Sequence, residues 1–229
     1  MSFWDRFKLE IPSKAHEGAP RFGGTLVVGK GPPRCGKTDT CSRLAVDACL
    51  TYGLPLLVQD VSGDVQKKLD GWKESAEQEG DTETLEFLSS SRKCLVYIGK
   101  NANNILDAVD SLVGNGKPSS DWQAVCLFDE AAIIRKVNPM FFESIAPLFG
   151  NAGILAFCTE HREFGIPPAA RVCIRRYLLW KDNDATTVVF DQKIPRDRLS
   201  DPRSDVITIY DPSTGELVKW DRSKESPPL

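Results

Sequence analysis

The sequence predicts an α/β fold, a mainly parallel sheet covered by helices on both faces with antiparallel strands added at one edge. Three observations carry this. From residue 26 to about 160, short apolar runs alternate with stretches of helical periodicity, the pattern of strands joined by crossover helices. The first apolar run enters a glycine-rich loop that opens a helix. From about residue 175 onward the chain is β-rich, and Asp211-Pro212-Ser213-Thr214-Gly215 reads as a hairpin turn.

The leading element is Thr25–Thr38. Leu26-Val27-Val28 is a strand, followed by Gly31-Pro32-Pro33-Arg34-Cys35-Gly36-Lys37-Thr38, which is G-x-x-x-x-G-K-T with a strand before it and a helix after it. The glycines let backbone N–H groups face an anion, and the helix adds its positive dipole end. Because Pro32 and Pro33 have no N–H, the cradle relies on Arg34, Cys35, Gly36, Lys37, Thr38 and Asp39, with Gly31 opening the turn. Lys37 would reach the β- and γ-phosphates of ATP, and Thr38 would ligate Mg²⁺.

A helix over Thr38–Leu50 follows, with Cys41, Leu44, Ala45, Ala48 and Cys49 on one face, and Gly53 stops it. Leu54–Val58 is a second strand, ending in Gln59-Asp60. Val65, Leu69 and Trp72 mark a short helix, Lys73–Glu83 a polar surface excursion, and Leu85–Leu88 another short helix. Cys94–Ile98 is a third strand. The next helix carries Ile105, Ala108, Val109, Leu112 and Val113 on one face, with Asn101 or Asn103 as its cap. Ala124–Phe128 is a fourth strand. Asn138-Pro139 signals a helix start, with Phe141, Ile145, Leu148 and Phe149 as its buried stripe. Gly153–Cys158 is a fifth strand, and Arg175–Lys181, Thr186–Phe190, Val206–Tyr210 and Glu216–Trp220 are expected as antiparallel additions to the sheet edge.

Composition bounds the rest. The 229 residues, 41% hydrophobic and 27% charged, suit one soluble domain. It divides into an N-terminal arm (1–22), a core (23–180) and a β-rich extension (181–229). Phe3, Trp4, Phe7 and Leu9 of the arm pack either on their own core or on a neighbouring subunit. A net charge of −3 gives no global field for nucleic acid, so any DNA contact must be locally focused. The seven cysteines show no C-x-x-C spacing and read as reduced core residues of a cytosolic protein. No run approaches the ~18 apolar residues of a membrane span, and the N-terminal stretch does not read as a signal peptide.

The second chemical signal is Val125-Cys126-Leu127-Phe128-Asp129-Glu130, a buried strand that delivers two acids. Carboxylates resist desolvation, so such a placement implies use. Asp129 would hold Mg²⁺ and Glu130 would act as base for, or orient, an attacking water, which favours hydrolysis over transfer to a metabolite. Two apolar strands intervene between the phosphate loop and these acids, which suits the P-loop class with an additional strand in its sheet. Thr159-Glu160, after the fifth strand, could reach the γ-phosphate or the water, or simply cap the strand. Glu160 is an acid where repulsion from phosphate is expected, so contact with an arginine or a neighbouring subunit is an alternative. Arg162, Arg171, Arg175 and Arg176 follow. Arg171, then Arg162, is preferred as a finger acting on a neighbouring subunit's site, with exposed ion pairs as the alternative. His161 reads as a strand-end hydrogen-bonding residue rather than a catalyst. Arg135-Lys136, in a loop over Ala131–Val137, would either line a ring's channel and touch DNA phosphates or form a solvated charge pair. Lys117, Lys181, Lys193, Arg196 and Arg198 are weaker candidates.

The order GPPRCGKT, VQD at 58–60, VCLFDEAA and FCTEHREFGIPPAARVCIRR resembles the FtsK/HerA superfamily of DNA-pumping ATPases, over roughly residues 25–180. Asp60 matches an acid that ends the strand after the P-loop helix in that group. Thr159-Glu160 stands where the group has Thr-Gln, and Ile166-Pro167-Pro168 and Arg171 match its downstream stretch. Within the superfamily the chain is similar to the genome-packaging ATPases of tailless icosahedral viruses with an internal membrane (tectivirus-like). The resemblance implies a RecA-like ATPase fold and a homo-oligomeric ring, a hexamer, with ATP sites between subunits. It also implies double-stranded DNA as partner, capsid or packaging-vertex proteins at the docking face, and a location in the virion and the host cytoplasm. The alternatives are a P-loop ATPase for phage or protein export, which usually carries a membrane segment, and a small-molecule kinase.

Overall fold

The computed structural model describes residues 26–112, 123–151, 153–161, 166–182, 184, 186–189 and 192–224. Residues 1–22, Lys117 and Arg162, on which expectations were placed, lie outside them. The strands are β1 (Leu26–Lys30), β2 (Leu56–Asp60), β3 (Cys94–Ile98), β4 (Ala124–Phe128), β5 (Ile154–Glu160), β6 (Ile174–Leu179), β7 (Thr186–Val189), β8 (Gln192–Pro195), β9 (Val206–Tyr210) and β10 (Leu217–Asp221). The helices are α1 (Lys37–Tyr52), α2 (Asp64–Glu79), α3 (Thr82–Ser89), α4 (Asn103–Leu112), α5 (Ala131–Val137), α6 (Phe141–Asn151) and the short α7 (Pro168–Arg171).

Eight strands form one sheet in the order β10-β9-β6-β1-β5-β4-β2-β3. β6, β1, β5, β4, β2 and β3 run parallel, and β9 and β10 add antiparallel at the β6 edge. β5 lies between β1 and β4, so a strand separates the phosphate loop from the acid pair in space, as expected of the additional-strand class. Alternate strand residues point to opposite faces, and two separate cores result. Val27, Val125, Leu127, Leu155 and Phe157 pack with α1, α2 and α3. Leu26, Val28, Cys126, Phe128, Ala156 and Cys158 pack with α4, α5 and α6. β1, β2, β4 and β5 are buried throughout, which explains their unbroken apolar runs. The seven cysteines are free thiols, all buried except the half-buried Cys94.

Several expectations need correction. β2 lies two residues later than read and ends on Asp60 itself. The stretch read as a surface excursion from Lys73 is mostly the second half of α2, which runs on to Glu79 and stops where Gly80 takes a left-handed conformation (φ 74°). Ala131–Val137, read as a loop, is the helix α5. Its alanines favour helix, Ile134 anchors it in the core, and Arg135 and Lys136 fall in its last turn, where cations complement the helix dipole. Regular helix after Asn138-Pro139 begins only at Phe141, with a turn between. Arg175–Lys181, expected as an antiparallel addition at the edge, is β6, which runs parallel beside β1 inside the sheet, and Thr186–Val189 does not join the main sheet. It pairs with β8, a strand not foreseen, in a separate two-stranded sheet. The hairpin turn was placed correctly, and Asp211 accepts from the Gly215 N–H at 2.8 Å.

Candidate functional site

The C-terminal ends of β1, β5, β4 and β2 lie side by side at one end of the sheet, the end where open α/β sheets place their sites. The phosphate loop leaves β1 there. A Cβ on Gly31 would stand 3.0 Å from both Cys35 Sγ and Trp180 Cβ, so any larger residue would press its neighbours aside in that close turn. Gly36 sits at φ 105° as the N-cap of α1, and no side chain caps this helix, so its first-turn N–H groups face outward without a side-chain acceptor. Lys37 is buried, and its ammonium donates to the carbonyls of Gly31 at 2.9 Å and Pro32 at 2.6 Å, which fixes a positive charge at the mouth of the loop. Burial raises the Cys35 thiol above its ordinary pKa despite the neighbouring Lys37, so it packs as a neutral side chain.

Across from the loop, Asp129 collects two hydroxyls on one oxygen. Thr38 donates to Oδ1 at 3.0 Å and Thr159 donates to the same atom at 2.8 Å. Thr159 in turn accepts the N–H of Glu130 at 2.9 Å. Burial raises the Asp129 carboxyl to about 6, against the two hydroxyl donors, which lower it, and with Glu130 and Asp60 adding to the rise. A buried carboxylate in that condition favours a cation. Thr38 and Asp129 are hard oxygen donors, two in number, and among the described residues no group of three or more acids, histidines or cysteines surrounds them. Mg²⁺ is held in this way, by one or two protein oxygens with water and phosphate completing its shell. The residues therefore fit both an anionic phosphate chain and Mg²⁺.

Beyond Thr159, the strand places two further side chains. Glu160 forms a buried ion pair with Lys30 at 3.2 Å and accepts the Ile166 N–H at 3.2 Å. It is thus neutralised by a lysine of β1, an alternative that was not foreseen. His161 Nε2 lies 2.7 Å from Glu130 Oε1, a strand-end hydrogen bond as read. Asp60 is fully buried and accepts the N–H groups of Gly63 and Gln66 at 2.8 Å each, so it fastens the start of α2.

The arginines separate. Arg176 is buried in an ion pair with Asp211 at 2.8 Å, which ties β6 to β9 and takes it out of the set available to a neighbour. Arg171 is half-buried on α7 and donates to the Ile166 carbonyl at 3.3 Å. Arg135 and Lys136 lie beyond Glu130 on the last turn of α5. Lys181 pairs with Asp201 at 2.9 Å, while Lys193, Arg196 and Arg198 are exposed.

The C-terminal extension also walls the site, which the sequence did not suggest. The Arg203 N–H donates to the Cys35 carbonyl at 3.1 Å. Arg222 reaches Asp39 at 3.4 Å and Thr40 at 3.2 Å, on the first turn of α1. Among the described residues three non-glycine positions have positive φ: Arg34, Glu130 and Arg203. All three stand at this site. Each such backbone costs about 1 kcal/mol or more, and strain of this kind gathers where function demands a geometry.

The sheet order and the glycine-rich loop are those of a P-loop NTPase fold with an additional strand between β1 and β4. Comparison with solved structures agrees. The genome-packaging NTPase B204 of Sulfolobus turreted icosahedral virus 2 in complex with ATP-gammaS superposes with a TM-score of 0.55 at 13% identity, over 86% of this chain and 96% of that one. Its complex with AMPPCP gives 0.54 at 14% identity, over the same shares of the two chains. The Thermomonospora curvata EccC ATPases 2 and 3, in complex with a signal-sequence peptide, give 0.54 at 9% identity, over 87% of this chain and 37% of that one. No family model and no curated protein matches the sequence.

Proposed function

We propose that this chain is an ATPase that drives double-stranded DNA through a ring of its own copies, in the packaging of a viral genome into a preformed capsid. The observation that carries the ATPase reading is the convergence of Lys37, Thr38, Asp129, Glu130 and Thr159 at the ends of three neighbouring strands. Gly31, Arg34, Cys35, Gly36, Lys37, Thr38 and Asp39 form the phosphate cradle. Thr38 and Asp129 would hold Mg²⁺, which when bound neutralises charge on the β- and γ-phosphate oxygens. Lys37 adds its fixed charge beside them. Thr159 orients both acids by holding Asp129 and the Glu130 N–H. Glu130 accepts a proton from water as the water oxygen bonds to the γ-phosphorus and the bond to the bridging oxygen breaks, leaving ADP and phosphate. Arg171 and Arg162 are proposed to complete the site of a neighbouring subunit, because phosphoryl transfer is mainly charge stabilisation and a guanidinium supplies it in fixed geometry.

Packaging is favoured over export because the likeness to B204 spans nearly the whole of both chains, whereas the likeness to EccC covers about a third of that protein. Among the described residues no helix is long and apolar enough to cross a membrane. Exposed Lys136, Lys193, Arg196 and Arg198 are candidates for phosphate contact in a channel. The test is ATPase rate per chain against protein concentration, with and without double-stranded DNA. The rate should rise with concentration and rise again with DNA. Turnover that is independent of both, with no ring under any condition, overturns the motor reading. Phosphate transfer to a nucleoside monophosphate would instead establish a kinase.

A further inference from the structure

Glu130 is held from two directions by the end of β5 and the residue that follows it. Its backbone is in the left-handed region (φ 58°, ψ 60°), and its N–H is fixed at 2.9 Å by Thr159 on β5. Its carboxylate is met at 2.7 Å by His161, two residues further along the same chain. Alternate residues of an extended chain share a side. Thr159 and His161 therefore both address the end of β4, while Glu160 between them turns to Lys30. The imidazole's other nitrogen, Nδ1, is buried and has no hydrogen-bond partner among the described residues. A proton there would be a buried, unsatisfied donor, so the neutral ring carries its proton on Nε2 and donates it to Glu130 Oε1.

We propose that His161 is a positioning residue for Glu130: its Nε2–H holds Oε1, fixes the side-chain rotamer and leaves Oε2 to take the proton from the attacking water. An acid with one oxygen already engaged offers the other in a defined direction, and orientation of this kind contributes to rate without touching substrate. The consequence for turnover rests on the ATPase reading above, whereas the contact itself does not.

The test has two arms. The first uses the nucleotide-free full chain and imidazole ¹⁵N NMR. The sequence has only two histidines, so replacing His161 assigns its signals. His161 should show a protonated Nε2 and an unprotonated Nδ1, and Glu130→Ala should shift the Nε2 and Nε2–H signals as their acceptor is lost. A pattern indifferent to Glu130→Ala overturns the proposal. The second arm measures steady-state hydrolysis of Mg-ATP. His161→Ala should lower kcat at least tenfold with KM changed less than twofold. His161→Gln, which can donate from near the Nε2 position, should recover most of the loss. An unchanged kcat in His161→Ala, or equal losses in both variants, overturns it. If His161→Ala does not fold, His161→Asn, which keeps a donor too short to reach, replaces it. Absence of turnover in the wild type would defeat the ATPase reading, and the first arm would still decide the contact.

Discussion

Glu160→Ala removes one partner of the buried pair at the heart of the sheet. Lys30 and Glu160 side chains are 6% and 2% exposed and 3.2 Å apart, in register on adjacent parallel strands. The substitution takes the carboxylate from an ammonium that stays buried and leaves the Ile166 N–H without its acceptor. Breaking such a pair by removing one member costs about 3–5 kcal/mol. For a domain of this size each kcal/mol shifts Tm by roughly 2–4 °C, so a fall of about 6–20 °C is expected. Thermal unfolding followed by far-UV circular dichroism measures it. The double variant Lys30→Met, Glu160→Leu removes both charges and should recover most of the loss, because well-packed apolar residues replace buried pairs at little cost. A fall below about 3 °C in Glu160→Ala, or a double variant as unstable as the single, would show that the pair does not carry the stability assigned to it.

Lys37→Ala should abolish ATP turnover, and normal turnover would remove the loop from the mechanism. Glu130→Gln should keep nucleotide binding, measured with a fluorescent ATP analogue, and lose hydrolysis; loss of binding instead would make Glu130 a structural residue. Doping Arg171→Ala chains into wild type should depress the ATPase rate out of proportion to their share if Arg171 acts across an interface, and a proportional fall would confine it to its own subunit. In the nucleotide-free, metal-free protein, Asp129 binds its proton more tightly folded than unfolded, since burial raises it from 3.8 to about 6. The folded state therefore holds the extra proton between those values, and stability falls as pH rises through that window, by about 3 kcal/mol at most. Asp129→Asn should flatten this slope in urea titrations and leave the protein more stable at pH 7, and a slope unchanged by the substitution would mean that another group titrates there.

Legibility in the sequence followed range. β3 and β4 were read to the residue, because a five-residue apolar run between polar flanks needs no distant information. Lys37, Thr38, Asp129 and Glu130 could be picked out because they stand in short motifs with strand context, and the structure brings these residues together at the strand ends. α5 was not, since seven residues are too few for a period, and its N-cap is Glu130 in a left-handed conformation with no side-chain cap to announce it. The second half of α2 hid because only Ala76 is buried there, leaving no apolar stripe. The pairs Lys30–Glu160 and His161–Glu130 were out of reach for another reason. They depend on the register between strands that are more than a hundred residues apart, or on where two strand ends stop, and neither leaves a local trace.

The walls of the phosphate loop come from widely separated parts of the chain. Cys35 is held by Arg203, Asp39 by Arg222, and Gly31 lies against Trp180. During synthesis, the loop emerges long before any of these partners exists. A nascent chain that has already made its glycine-rich loop therefore lacks the outer support of that loop until the segments carrying Trp180, Arg203 and Arg222 have been added.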